Sequence, residues 1–345
     1  MESKKYGTEY QKNIDFLRKY HPDAGTSCIR TQPLQDVNNQ TALDIIIPAY
    51  NVEHYIGTCL KSVLKQETQY PFRMIVVDDG SSDRTGEVID RYKDTDEVVV
   101  IHQENMGLAG ARNKGLLYSQ AKYIMFLDSD DILAKKAVES MVSRIEREEG
   151  SVLGGSYCNF RIASFLHRNY YQRSGTLNSE LDLFGQSWGK IYRRDMFERV
   201  QFPQNYWFED SLMQQIVFPL AGKKLGISDI VYMRRVNLKS ITHNAAGNPK
   251  SVDTLWVTLR LMDDREKLGI ENDNAYYRYL LHQTCLNHQR LRGMEREIRR
   301  AAFMVMAIRL QELFPEENVN DKDEANIAKA VQEMDYDLFY HFCES

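Results

Sequence analysis

No CxxC pair occurs, and the five cysteines (Cys28, Cys59, Cys158, Cys285 and Cys343) are scattered over 345 residues. That spacing excludes a zinc ribbon and reads as reduced thiols rather than a disulfide frame. A basic excess is also missing. Lys and Arg number 44 against 49 Asp and Glu, a net charge of −5, which argues against a nucleic-acid partner. No apolar run approaches the roughly 20 residues that span a bilayer. The opening MESKKYGTEYQKN has no apolar core, so no signal peptide is expected and the reading is cytoplasmic. The turn after the first apolar run, PAYNVEHY, lacks GxGxxG, and GxxxxGK followed by Ser or Thr occurs nowhere. Hydride transfer on a dinucleotide fold and P-loop hydrolysis are therefore unsupported.

Hydrophobic residues make up 43% of the chain, enough for a sizeable core. Residues 1–42 read as a short helix and a polar linker. Four apolar runs follow: LDIIIPAY (43–50), FRMIVVDD (72–79), VVVIHQ (98–103) and YIMFLD (123–128). Segments with helical spacing separate them, such as EHYIGTCLKSVLKQ with Ile56, Leu60, Val63 and Leu64. Strands alternating with helices imply an α/β fold, a mostly parallel sheet flanked by helices, with ligands at the carboxyl ends of the strands. Beyond about 150 the pattern loosens. FEDSLMQQIVFPLAG reads as a helix and ISDIVYMRRV as a last strand. A catalytic domain over 43–248 and a helical region over 249–345 follow from the break at GNP.

The run YIMFLDSDD ends in three carboxylates within four residues. Asp128 and Asp130 are two apart, so a strand continued that far points both to one side. Such a pair suits a hard cation, Mg2+ or Mn2+, whose remaining positions phosphate oxygens fill. A carboxylate here can instead cap the next helix, and Asp131 is assigned to cap AKKAVESMVSRI. VVDDGSSD closes another strand and reads equally as a turn with a helix cap or as a carboxylate for a base imide or ribose hydroxyl. Strand ends gather at one rim, which sets Asp78 and Asp79 near Asp128.

DIIIPAYN, IVVDDGSSD, ENMGLAGARNKGL, YIMFLDSDD and the later FED, in this order, resemble glycosyltransferase family 2 and its GT-A fold over about residues 43–245. The resemblance implies an inverting transfer of a sugar from a nucleotide diphosphate donor, usually a UDP-sugar, to a hydroxyl. It implies that Pro48, Ala49 and Tyr50 line the base pocket and that Asp79 binds the uracil imide. Asp128 would touch the ribose or support the metal, Asp130 would coordinate Mn2+ or Mg2+ on the diphosphate, and Arg112 would lie near the donor. Asp210 matches the base position. VYMRRVNLKSIT resembles the family's lid and points to Arg235 and Ser240 as diphosphate contacts, with Arg234 and Lys239 where an aromatic and a glycine are usual.

Aromatic faces stack on sugars, so Trp188, Tyr206 and Trp207, with Glu209 beside them, are candidates for the acceptor side; His243 near the lid is a polar loop residue or a donor contact. Arg292, Arg296 and Arg299 share one helical face, either solvated or drawn to anionic lipid, which would put the chain peripherally at the inner face of a membrane. The acceptor classes are a glycan, a lipid-linked glycan or a glycoprotein. The apolar face of Phe303, Met306 and Leu310 must be covered, by a second copy in a homo-oligomer or by the rest of the chain. A non-catalytic partner subunit and a sugar nucleotidyltransferase are the rival readings.

Overall fold

In the computed structural model, which describes residues 6–38, 40–161, 164–236, 245–315 and 322–344, the four apolar runs are strands. They are β1 (Leu43–Ala49), β2 (Phe72–Asp78), β3 (Val98–His102) and β4 (Tyr123–Phe126). They pair in parallel in the order β3-β2-β1-β4, with Ile46 opposite both Ile75 and Phe126. Every residue of β1 is buried, as a strand covered on both faces requires. Helix Gly107–Tyr118 lies so close to β1 that a Cβ at Gly115 would stand 2.3 Å from Ile46 Cγ2, so only glycine fits. Helix Ala137–Arg147 buries Ala137, Val138, Met141, Val142 and Ile145, one face of a 3.6-residue period.

Beyond β4 the sheet becomes mixed. It continues through β5 (Ile132–Leu133), β6 (Val152–Arg161), β7 (Ser164–Tyr170), β8 (Gly175–Leu177), β9 (Lys190–Arg193) and β10 (Lys224–Arg235). β9 joins β4 antiparallel and hands on to β6, and β6 pairs in parallel with β10. The parallel pattern expected from the sequence thus describes the first four strands and the β6–β10 pair. FEDSLMQQIVFPLAG forms a π-helical turn, Met213–Val217, running into Phe218–Leu220.

The chain divides into two compact units. One holds residues 26–205 and 209–237, with the ten described strands; the other holds 1–25, 206–208 and 238–345. The opening segment is therefore not one peripheral linker. Residues 26–30 pair with the sheet unit: Gln201 N donates to Cys28 O at 2.8 Å and Arg30 N to Arg199 O at 2.9 Å. Backbone pairing of this kind needs no apolar pattern, so the sequence is silent on it.

The helical unit contains Gly7–Arg18, Asp253–Lys267, Asn274–Arg290, Arg296–Leu313, Lys322–Glu333 and Tyr336–Glu344. Phe303, Met306 and Leu310 are buried inside it, with Phe303 stacked on Phe339 at 4.4 Å. The apolar face that called for a second copy is thus covered by the chain's own helices. Cys285 and Cys343 form a disulfide between two of these helices, which corrects the expectation of thiols only. Cys28, Cys59 and Cys158 are buried and lie outside that disulfide. No helix among the described residues is long and apolar enough to cross a membrane.

Candidate active site

β2 delivers Asp78 and Asp79 to the rim beside the end of β1. Asp79 N donates to Ala49 O at 2.9 Å, which ties the pair to PAY. Asp78 is spent on the loop: Ser81 N donates to its Oδ1 at 3.1 Å, and His102 Nδ1 lies 2.9 Å from its Oδ2. Asp79 Oδ1 accepts from Gln103 Nε2 at 2.7 Å and from Met106 N at 2.8 Å. Its Oδ2 has no hydrogen bond among the described residues. The turn depends on Gly80, at φ +71, where a Cβ would meet Asn105 N at 2.8 Å. Pro48 and Ala49 are buried in β1, and Tyr50 just beyond it is half exposed.

β4 stops at Phe126, so Asp128 and Asp130 stand in a turn, closed by Asp131 N donating to Asp128 O at 3.0 Å. The strand alternation expected to align them does not reach them. Nor does Asp131 cap the following helix, which starts at Ala137 with β5 in between. Asp131 is buried and accepts from Tyr232 Oη at 2.7 Å and Arg235 N at 2.6 Å. Burial, and then the charges of Asp130 and Asp128, push its carboxyl well above the usual range. Tyr232 Oη in turn accepts from Asp128 N at 3.1 Å, so one phenol pins both ends of the turn. Arg235 Nε donates to Asp130 O at 2.7 Å, and its guanidinium lies over Tyr55 and Phe160, 4.9 and 4.7 Å from the ring centres. Its Nη1 is buried with no hydrogen-bond partner among the described residues.

The centre of the site is Arg112. Its guanidinium is fully buried and lies 5.1 Å from the centre of the Phe202 ring. Nη1 donates to Glu209 Oε1 at 2.8 Å and Asp210 Oδ1 at 3.0 Å, and Nη2 donates to Asp128 Oδ1 at 3.0 Å. Burial disfavours the arginine charge, but Asp210, Asp128 and Glu209 more than offset it, so the guanidinium titrates above its usual range. Burial pushes Glu209 up to about 7 against the pull of Arg112. Burial likewise raises Asp128, opposed by Arg112. Glu209 is enclosed, whereas the side chains of Asp128 and Asp210 are 28% and 32% exposed. Arg112 therefore holds three carboxylates in register and leaves two of them open to a ligand.

The structure thus brings Arg112, Asp128, Glu209 and Asp210 together. Glu209, expected on the acceptor side, is instead a buried partner of Arg112. Trp188 is buried, stacked on Tyr232 at 4.5 Å and edge-on to Tyr157, so neither face is available to a sugar. Tyr206 is buried in the helical unit with its hydroxyl on Asp23. Trp207, also in the helical unit, is partly buried. Ser240 and His243 lie outside the described residues. Lys190 escaped the sequence reading: it is buried, donates to Gln186 O at 2.8 Å, and burial lowers its pKa to about 7. Its charged head in SWGKIY gave no signal of burial.

Among the described residues no group of three His, Cys, Asp or Glu converges as a metal cage. A divalent ion carried in on a diphosphate needs only one or two protein carboxylates. Asp128 and Asp130, two residues apart in one turn, are the candidates for that smaller demand.

Residues 44–201 match the family model of glycosyl transferase family 2. The chain is 30% identical over 267 residues to the Streptococcus pneumoniae glycosyltransferase GlyA, covering 72% of this chain and 38% of that one. It is 37% identical over 115 residues to the Escherichia coli UDP-Glc:alpha-D-GlcNAc-diphosphoundecaprenol beta-1,3-glucosyltransferase WfgD, covering 33% and 45%. The chain thus spans less than half the length of these two relatives. The crystal structure of S. aureus TarS 1-349 in complex with UDP-GlcNAc superposes with a TM-score of 0.68 at 20% identity, over 88% of this chain and 91% of that one. The fold is GT-A, with added C-terminal helices. Residues 44–201 belong to glycosyl transferase family 2.

Proposed function

We propose that this protein transfers a sugar, with inversion, from a UDP-sugar to a hydroxyl of a glycan or lipid-linked acceptor, assisted by a divalent cation. The observation that carries the reading is the buried Arg112 guanidinium holding Asp128, Glu209 and Asp210, with two of the three carboxylates open. Asp210 accepts the acceptor's proton as its oxygen attacks the anomeric carbon, and the bond from that carbon to the diphosphate breaks on the opposite face. A carboxylate placed for this proton is worth about 10²–10⁴-fold. Arg112 keeps one oxygen of Asp210 aimed and leaves the other for the proton. On the donor side, Asp79 Oδ2 accepts the uracil imide proton. Arg235 Nη1, without a hydrogen-bond partner among the described residues, donates to a phosphate oxygen. Ser240 is a further candidate there.

A cation held by Asp130 with Asp128 would offset the negative charge that develops on the leaving diphosphate. UDP-GlcNAc bound by TarS supports the donor class, and the diphosphoundecaprenol acceptor in the name of WfgD supports a lipid-linked acceptor. The test is a panel of UDP-sugars assayed for released UDP, with Mn2+ and with EDTA. UDP release from at least one donor, suppressed by EDTA and lost in Asp210→Asn, is expected. Release that EDTA leaves unchanged would remove the cation from the reading, and a panel with no release would remove the donor class.

A further inference from the structure

Three strands of the sheet unit bring one residue each into a single cross-strand row. Arg168 of β7 is opposite Asn159 of β6, and Asn159 is opposite Arg234 of β10. Residues in register on neighbouring strands point to the same face, so the Asn159 amide stands between two arginine side chains. Two strand spacings separate the arginine backbones by roughly 10 Å. The adjoining row on that face is Tyr170, Tyr157 and Tyr232. Tyr157 and Tyr170 stack at 4.6 Å, and the Arg168 guanidinium lies 5.2 Å from the centre of the Tyr170 ring. Burial, and then Tyr170, push the Tyr157 hydroxyl above its usual range, while the charges of Arg234 and Arg168 pull it back, so both guanidiniums act on one phenol.

The described residues do not balance this row. The guanidiniums of Arg168 and Arg234 have no hydrogen bond or ion pair among them. Asn159 Oδ1 is buried with no hydrogen-bond partner among the described residues either. Buried polar atoms are normally paired, and an orphan between two like charges calls for a ligand that satisfies all three. The row lies near the carboxyl ends of β6 and β10, the rim at which such sheets bind ligands. Tyr232, two residues before Arg234, holds Asp128 N at 3.1 Å, so the row borders the Asp128 turn. Arg234 also stands where the family resemblance gives an aromatic, so the chemistry common to the family does not account for it.

We propose that Arg168, Asn159 and Arg234 form an anion site for the acceptor, and that the acceptor is a sugar carried on a phosphate. The two guanidiniums share the phosphate oxygens, for which their planar forks are suited, and Asn159 Oδ1 accepts from a neighbouring sugar hydroxyl. That the phosphate belongs to an acceptor rests on the transferase reading; the anion site itself does not. The three residues bind and touch no reacting atom.

The test is calorimetry on the full chain with UDP and Mn2+ in excess, titrating N-acetylglucosamine 1-phosphate, inorganic phosphate and, as a neutral comparison, N-acetylglucosamine. The sugar phosphate should bind about tenfold more tightly than either of the others. Arg168→Gln and Arg234→Gln should each weaken it about tenfold, because each removes a charge-assisted contact. Arg234→Lys should weaken it less, since the charge stays and only the fork is lost. Arg193→Gln, an exposed arginine of β9 paired with Asp195, is the control and should leave it unchanged. UDP affinity measured without the sugar phosphate should stay within twofold in every variant. Sugar-phosphate binding that survives in both glutamine variants, or weakens equally in the control, overturns the site. UDP affinity that falls as far as sugar-phosphate affinity would assign the arginines to the donor and overturn it too. Inorganic phosphate bound as tightly as the sugar phosphate would leave a bare anion site and remove the acceptor. Arginine-dependent binding beside a UDP-sugar panel with no release would end the transferase reading and the acceptor role with it; release in the panel beside arginine-independent binding would end the site alone.

Discussion

At the end of β2, Asp78 is consumed by Ser81 N and His102, and Asp79 keeps one oxygen without a hydrogen bond from the described residues. At the end of β4, Asp131 is consumed by Tyr232 and the Arg235 backbone, while Asp128 stands partly open against Arg112 and Asp130 is partly exposed. Both clusters contain one carboxylate whose work is to hold a loop. They differ in what balances the charge. The β2 cluster is neutralised by N–H groups and a histidine that titrates, whereas the β4 cluster leans on an arginine that does not. A site that must present charge to a ligand at any physiological pH is better built on the second plan. Substitutions in the two clusters should therefore separate by kind of effect as well as by size.

The largest effect is expected at Arg112. Arg112→Met leaves a buried Glu209 facing Asp128 and Asp210 with no counter-charge. Breaking a buried ion pair from one side costs about 3–5 kcal/mol. A sharp fall in the melting temperature together with loss of transfer is expected, followed by calorimetry and an activity assay. Wild-type melting in this variant would show that the carboxylates do not depend on the guanidinium.

Next in size is Asp210→Asn, which keeps shape and removes the proton acceptor. Turnover should fall about 100-fold or more, a barrier increase of about 2.7 kcal/mol, with UDP affinity unchanged. Glu209→Gln sharpens the contrast, since its enclosed carboxylate serves Arg112; it should cost stability more than it costs chemistry. Equal turnover in the two variants would erase the distinction between the open and the enclosed carboxylate.

Within the β4 cluster, Asp130→Ala should weaken Mn2+-dependent UDP binding by about tenfold and leave the melting temperature within a few degrees, because a partly exposed turn residue adds little to stability. Asp131→Asn should do the reverse, lowering stability through Tyr232 and Arg235 with UDP affinity less affected. Calorimetry and melting on the same two proteins decide it. If both variants lose UDP affinity equally, the division of roles within the turn is wrong.

How much of this could be read beforehand depends on the range of the interactions. β1 to β4 were legible because buried parallel strands are continuous apolar runs, and the ligand rim followed from their carboxyl ends. Asp128 stood out by its place at a strand end and Arg112 and Asp210 came through resemblance, but their convergence needs contacts spanning 16 and 98 residues that leave no local trace. Asp131 misled because an aspartate before a helical segment looks like a cap, while its real partners are 101 and 104 residues away. Trp188 was named because aromatic faces stack on sugars, and only the sheet shows that it packs against Tyr232 and Tyr157 instead. The Cys285–Cys343 pair, 58 residues apart and outside any recognisable spacing, was invisible for the same reason.

The smallest expected effect tests the β2 cluster through pH. Asp78, by its hydrogen bond, raises the pKa of His102; partial burial opposes this and Asp90 at 3.1 Å adds to it. The folded value then lies above the unfolded one, about 6.5. A group shifted in this direction contributes stability that is fully present below pH 6.5 and is lost as pH rises through the folded pKa. Because the imidazole is 48% exposed, solvent screens the interaction and the effect is small. The melting-temperature gap between the parent and His102→Asn should be widest near pH 5.5 and should close as pH rises to 8. The imidazole itself, followed by NMR, should titrate above 6.5. A gap for His102→Asn that stays constant from pH 5.5 to 8 would mean that the β2 cluster, too, is held by contacts that do not titrate, and the contrast between the two strand ends would reduce to their ligands.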